Sequence, residues 1–177
     1  MAGVAKLFDG HVLDKSNKEI NLNDDQYKGK VVGLYFSAHW CPPCRNFTPK
    51  LVEFYNKHAQ EKKFEIIFVS SDRDDVAFND YYKEMPWLAL SFKDRKNKEE
   101  LSKKFNISGI PTLILVDADS GDIIYRKNKE ELSKKFNISG IPTLILVDAD
   151  SGDIICTDAR NYIQHEDENG ENFPWKS

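Results

Sequence analysis

The stretch Val31–Cys44 reads VVGLYFSAHWCPPC and is the most informative part of the sequence for predicting the fold. Its first six residues form a continuous apolar run, which is typical of a strand buried on both faces of a sheet. A pair of cysteines separated by two prolines follows, and then Phe47, Leu51 and Phe54 recur at helical spacing. The sequence therefore predicts a buried strand, a dithiol turn and an amphipathic helix, in that order.

Strands and helices continue to alternate after this unit. The sequence predicts a strand at Phe64–Val69, a helix from Asp74 that stops before Pro86, and a strand at Thr112–Val116. The turn after the last strand predicts a hairpin through Ile124, and Ala159–His165 has the character of a final helix. This alternation indicates an α/β layered domain.

Composition and charge exclude several classes of function. The chain has 177 residues and a formal net charge of −4, so it lacks the basic excess that nucleic acids or anionic membranes attract. Its longest apolar-rich run, Ile110–Val116, is far shorter than a membrane span, and its first residues lack the uninterrupted apolar stretch of a secretory signal. Three cysteines cannot build a disulfide scaffold. We expect a soluble cytoplasmic protein in which residues 1–177 form one domain.

The sequence also contains an exact tandem repeat. The segment Arg95–Ile124 recurs without a mismatch at Arg126–Ile155, so residues 95–125 and 126–156 form a tandem pair, here called copy one and copy two. Solenoids have three or more copies, which differ at the ends, so two identical copies indicate duplication within one domain. We expect one copy to complete the fold and the other to be extruded.

The chemistry is expected at Trp40-Cys41-Pro42-Pro43-Cys44. A helix N-terminus favours a thiolate, and the more N-terminal sulfur would be the exposed nucleophile, with Cys44 placed to resolve a mixed disulfide. Both prolines fit a helix start, where a missing N–H costs little, and Trp40 would cover the dithiol on one side. A zinc site is the competing interpretation, but only Cys156 and four scattered histidines remain as further ligands. We expect a redox dithiol with no metal and no cofactor.

These residues resemble tryparedoxins and nucleoredoxin-like proteins of the thioredoxin superfamily. Besides WCPPC, the resemblance rests on the motifs FTPKLVEFY, FEIIFVSSD, MPWLAL, FNISGIPTLILVDADSG and ENFPW. It implies a thioredoxin-like fold, with a central mixed sheet between helices, a closing β-hairpin and a C-terminal helix. It also implies a protein-disulfide reductase in which Cys41 attacks and Cys44 resolves, with a helix kinked at Pro49.

The same resemblance implies redox partners, but it does not decide between those of a tryparedoxin and those of a nucleoredoxin-like protein. A tryparedoxin would take electrons from trypanothione and pass them to disulfide proteins such as peroxiredoxins. A nucleoredoxin-like protein would use a thioredoxin-type or glutathione donor. A redox-sensing module that controls a partner protein is the alternative to an enzyme.

The resemblance further implies a cis-proline beside the dithiol, which either copy could supply. The pair is Ile110 and Pro111 in copy one, and Ile141 and Pro142 in copy two. The connection before copy one is polar and tolerates an insertion, whereas Cys156 after copy two continues the last strand. We therefore expect copy two to be seated, with Pro142 beside Cys41.

Nearby residues have more modest expected roles. Tyr35 stands where thioredoxins carry a buried aspartate, so proton transfer would need another group or water, and Asp72 is a weak candidate. The cluster from Asp72 to Asp75 is expected to cap the next helix. His39 is expected to be a partly exposed surface residue, and Cys156 a buried structural thiol.

Overall fold

The computed structural model describes residues 3–8, 11–61 and 63–121, together with two short strands at 146–147 and 154–156. In chain order the strands are β1 Val12–Leu13, β2 Val31–Ser37, β3 Phe64–Ser70, β4 Leu88–Leu90, β5 Thr112–Asp117, β6 Leu146–Val147 and β7 Ile154–Cys156. The α-helices are α1 Pro42–His58, α2 Asp75–Tyr82 and α3 Arg95–Lys104. Short 3₁₀ helices lie at Val4–Leu7 and Asp25–Tyr27.

The main sheet has five strands in the order β1-β4-β3-β2-β5. β2 runs parallel to β3 and antiparallel to β5, and β3 runs parallel to β4, so the sheet is mixed. Antiparallel pairing of β1 with β4 completes one edge. The predicted mixed sheet is confirmed, whereas β1 and β4 were not predicted as strands because each is too short to show a pattern. The predicted C-terminal helix and the closing strand through Ile124 lie outside the described residues.

Both faces of β2 are buried, as its continuous apolar run predicted. Tyr35 belongs to a core cluster with Leu51 of α1 and Tyr81 of α2. Leu34 belongs to a second cluster with Leu101 of α3. Helices α1 and α2 therefore cover one face of the sheet and α3 covers the other, which places the end of β2 at the centre of the domain.

Copy one, and not copy two, supplies the strand beside β2. β5 lies in copy one and pairs along β2 from Val31 opposite Asp117 to Phe36 opposite Thr112. The prediction that copy two is seated was therefore wrong. The described residues of copy two are those of β6 and β7, which pair with each other as a separate two-stranded ladder.

The residue that precedes each copy gives the physical reason. Asp94 is the N-cap of α3, and its Oδ1 accepts a hydrogen bond from the Asn97 N–H at 3.0 Å. Its Oδ2 lies 2.6 Å from Nδ1 of His11, so Asp94 also ties α3 to the chain before β1. Copy two is preceded by Tyr125, which is not an N-cap residue because its only side-chain oxygen lies at the far end of the ring. An aspartate N-cap stabilises a helix by about 1 kcal/mol, which favours copy one.

Candidate functional site

The two cysteines of the motif meet at the junction of β2 and α1. Cys41 is the N-cap of α1, and its sulfur accepts a hydrogen bond from the Cys44 N–H at 3.3 Å. The two side chains form a disulfide, with their Cα atoms 5.2 Å apart. Pro42 and Pro43 occupy the first helical positions, where no intrahelical N–H is needed, as predicted.

The sulfurs differ in their access to solvent. Cys41 is 4 % exposed, whereas Cys44 is fully buried. Cys41 also lies at the positive end of α1, where unpaired backbone N–H groups stabilise a thiolate. An incoming disulfide would therefore reach Cys41 first, and Cys44 could react only with a sulfur already bound to Cys41.

Ile110 and Pro111 of copy one complete the wall opposite the dithiol. The Ile110–Pro111 peptide bond is cis, and the Ile110 carbonyl oxygen lies 3.7 Å from Sγ of Cys41. Ile110 packs against Ala38 and both cysteines. The placement of Pro142 here was wrong, because β5 of copy one brings its own Ile-Pro pair to this point. Ile141 and Pro142 themselves lie outside the described residues.

Trp40 forms the outer side of the site. Its side chain is 52 % exposed, and its Nε1–H donates a hydrogen bond to the Ser71 carbonyl oxygen at 3.0 Å. The guanidinium of Arg73 lies 5.8 Å from the centre of the indole ring. The hydrogen bond fixes the ring beside the dithiol while leaving its apolar surface open to solvent.

A buried group of hydroxyls lies between the end of β2 and α1, and sequence reasoning missed it. Tyr35 bonds to Thr48 at 2.8 Å, and the Ser37 hydroxyl donates to Tyr35 at 3.1 Å. Tyr81 of α2 contacts both Ser37 and Thr48. Burial raises the pKa of Tyr35 and of Tyr81, so both stay protonated at neutral pH. The group is neutral and supplies no carboxylate base, as the tyrosine at position 35 indicated.

In the acidic cluster, the predicted helix-capping role is confirmed for Asp74 but not for Asp72. Asp74 caps α2, since its side chain accepts a hydrogen bond from the Ala77 N–H at 2.8 Å. Asp72 is instead buried below the dithiol loop, where it accepts a hydrogen bond from the His39 N–H at 2.7 Å. His39 itself is partly exposed, as predicted, and its ring stacks on Tyr81. Nothing in the local sequence distinguishes the two aspartates.

Within the part of the chain that the structure describes, no group of three or more His, Cys, Asp or Glu side chains could hold a metal ion. Among the same residues, no helix is long and apolar enough to cross a membrane. Cys156 lies in β7, but the burial of its side chain falls outside the description.

Comparison with known proteins connects this geometry to a family. Residues 29–123 match the family described as thioredoxin-like. Tryparedoxin of Trypanosoma brucei brucei is 51 % identical over 126 residues, which cover 70 % of this chain and 85 % of that protein. Zebrafish (Danio rerio) nucleoredoxin is 49 % identical over 123 residues, or 69 % of this chain, but the match spans only 29 % of nucleoredoxin.

Solved structures agree with these relatives. Tryparedoxin II from C. fasciculata superposes with a TM-score of 0.73 at 38 % identity, covering 99 % of each chain. Tryparedoxin from Trypanosoma brucei superposes with a TM-score of 0.72 at 41 % identity, covering 100 % of each chain. A further structure of tryparedoxin II holds glutathionylspermidine. The chain described here therefore belongs to the thioredoxin-like family, alongside the tryparedoxins and nucleoredoxins, and is an oxidoreductase of the thioredoxin type.

Proposed function

We propose that this oxidoreductase reduces disulfides in other proteins through Cys41 and Cys44. The observation that carries the proposal is the paired geometry of the two cysteines, with Cys41 4 % exposed at the N-terminus of α1 and Cys44 fully buried behind it. Such a pair can donate two electrons by closing its own disulfide, the oxidised state that the structure contains.

The reaction would proceed by two exchanges at sulfur. The Cys41 thiolate attacks one sulfur of the substrate disulfide, forms a mixed disulfide, and displaces the other substrate sulfur as a thiolate that takes a proton from water. The Cys44 sulfur then attacks Cys41, closes the intramolecular disulfide and releases the second substrate thiol. A reduced dithiol donor restores the starting state by the same exchanges in reverse. Substrate is reduced by two electrons in each cycle, and the donor is oxidised by two.

We also propose an electron donor and an electron acceptor for this reaction. The similarity to tryparedoxins supports a small glutathione-derived dithiol such as trypanothione as donor, because one such relative was solved with glutathionylspermidine. It also supports peroxiredoxins as acceptors. The similarity to nucleoredoxins supports a thioredoxin-type or glutathione donor instead. A cytoplasmic location suits either route, since thiols are kept reduced there.

A redox-sensing module is the second candidate function. In that case the dithiol would open and close to control the binding of a partner protein, with no repeated turnover. The 49 % identity to nucleoredoxin, whose match spans 29 % of that protein, is the observation that favours it.

Steady-state disulfide reduction separates the two functions. With the protein at about one-hundredth of the substrate concentration, we expect many reduced insulin disulfides per protein molecule when trypanothione, glutathione or dithiothreitol is the donor. Oxidised peroxiredoxin as a second substrate tests the acceptor. Reduction that stops after one equivalent with every donor would contradict the enzyme and support the sensing module.

A further inference from the structure

The loop that carries Cys41 is tied to the end of β3 by three hydrogen bonds. The Ser71 N–H donates to the Ser37 carbonyl at 2.8 Å, where β2 ends. The indole of Trp40 donates to the Ser71 carbonyl, and the His39 N–H donates to Oδ1 of Asp72 at 2.7 Å. The two residues directly before Cys41 are therefore both held by Ser71–Asp72.

Asp72 is the buried member of this attachment. Only 6 % of its surface is exposed, and its second carboxylate oxygen accepts a hydrogen bond from the Ser70 hydroxyl at 2.9 Å. The same hydroxyl accepts a hydrogen bond from the Asp72 N–H at 2.9 Å. Both carboxylate oxygens are thus bonded, which offsets much of the cost of burying a charge.

Arg95 places a positive charge near the Asp72 carboxylate. It is the first residue of α3, and its guanidinium donates to the Ser70 carbonyl at 2.6 Å. Burial lowers the pKa of Arg95, while the negative charge of Asp72 acts in the opposite direction. Since Arg95 belongs to copy one, the seated copy contributes to both sides of the site, through Arg95 and through Ile110.

We propose that Asp72 is a positioning residue for the dithiol, acting through the backbone N–H of His39. This inference rests on the proposed role of Cys41 as the nucleophile. Attack on a disulfide needs the Cys41 sulfur in line with the bond that breaks, and a displacement of about 1 Å can cost on the order of a hundredfold in rate. Without the Asp72 carboxylate, the His39 N–H lacks its acceptor and the loop loses one of its two contacts next to Cys41.

Two substitutions at position 72 separate hydrogen bonding from charge. Asp72→Asn keeps an oxygen for the His39 N–H and an amide that can donate to the Ser70 hydroxyl, but it removes the charge. Asp72→Ala removes both contacts. We expect kcat/KM for disulfide reduction to fall about tenfold in Asp72→Ala and to stay within about twofold of the wild-type value in Asp72→Asn. Iodoacetamide alkylation of Cys41 in the reduced proteins, followed by peptide mapping, should show the same order without any substrate.

Asp74→Ala is the matched control, because it removes another aspartate that accepts a backbone N–H, but at the start of α2. It should lower the stability of the protein and leave both rates unchanged. If Asp72→Ala does not fold, Asp72→Leu fills the space without an acceptor and takes its place.

Wild-type rates in a folded Asp72→Ala or Asp72→Leu variant would overturn the proposal. Equal slowing in Asp72→Asn and Asp72→Ala would also overturn it, since the charge rather than the hydrogen bond would then matter. A wild-type protein without turnover would count against the proposed function alone, because the alkylation rates still test the positioning of Cys41.

Discussion

Replacing Cys41 with serine abolishes disulfide reduction, with kcat/KM falling by at least about a thousandfold. A serine hydroxyl is not ionised at neutral pH and does not exchange with disulfides, so neither step of the relay can begin. The helix start should survive the change, because serine is a good N-cap and Cys41 already accepts the Cys44 N–H. Steady-state reduction of insulin by dithiothreitol measures the loss.

Cys156→Ser is the control for this experiment. Cys156 lies in β7, away from the motif in the sequence, and has no proposed part in the relay. It should retain wild-type turnover. Residual turnover in Cys41→Ser near the wild-type level, or loss of turnover in Cys156→Ser, would contradict the assignment of the nucleophile.

Alanine in place of Leu113 lowers the free energy of unfolding by about 3 kcal/mol, whereas the same change at Leu144 costs less than about 1 kcal/mol. Leu113 is 6 % exposed in β5, lies opposite Tyr35 of β2 and packs in the core cluster with α1 and α2. Leu144 is the identical position of copy two. Urea unfolding followed by circular dichroism compares the two variants.

The identity of the copies requires a double variant as well. If Leu113→Ala weakens copy one, copy two could take its place beside β2. The decrease in the free energy of unfolding would then be no larger than the free-energy difference between the sheet completed by copy one and the sheet completed by copy two. If copy one stays beside β2 even when it is weakened, the double variant Leu113→Ala/Leu144→Ala should unfold at nearly the same urea concentration as Leu113→Ala. A larger loss at Leu144 than at Leu113 would instead show that copy two forms the sheet.

Most of the site follows from the sequence, because its residues are neighbours in the chain. A continuous apolar run predicts β2, the periodicity of Phe47, Leu51 and Phe54 predicts α1, and the two cysteines lie where the strand meets the helix. The apolar run, the helical periodicity and the position of the cysteines all predict the same local structure, so predicting this stretch requires no knowledge of contacts with distant residues.

The parts that the sequence did not predict depend on tertiary contacts. Tyr81 joins Ser37 and Thr48 from a separate helix, and no spacing in the sequence relates the three. Asp72 and Asp74 look alike in the sequence, but Asp72 is buried and accepts the His39 N–H, whereas Asp74 is exposed and accepts the Ala77 N–H.

The prediction that copy two is seated was wrong for a different reason. The repeated residues are identical, so only the flanking residues distinguish the copies: Cys156 after copy two suggested that copy two is seated, whereas Asp94 before copy one favours copy one. The cap formed by Asp94 and its contact with His11 were present only upstream of Arg95. A comparison of Asp94 with Tyr125 as helix caps would have indicated copy one.

Trapping the mixed disulfide shows directly whether Cys41 is the nucleophile and Cys44 the resolving thiol. In a Cys44→Ser variant the resolving sulfur is missing, so a substrate bound to Cys41 cannot be released by the second exchange. We expect this variant, mixed with a peptide disulfide, to form a covalent adduct that proteolysis and mass spectrometry map to Cys41, while Cys41→Ser forms little adduct. An adduct that forms as readily on Cys44 in the Cys41→Ser variant, or no adduct on Cys41 in Cys44→Ser, would contradict this assignment.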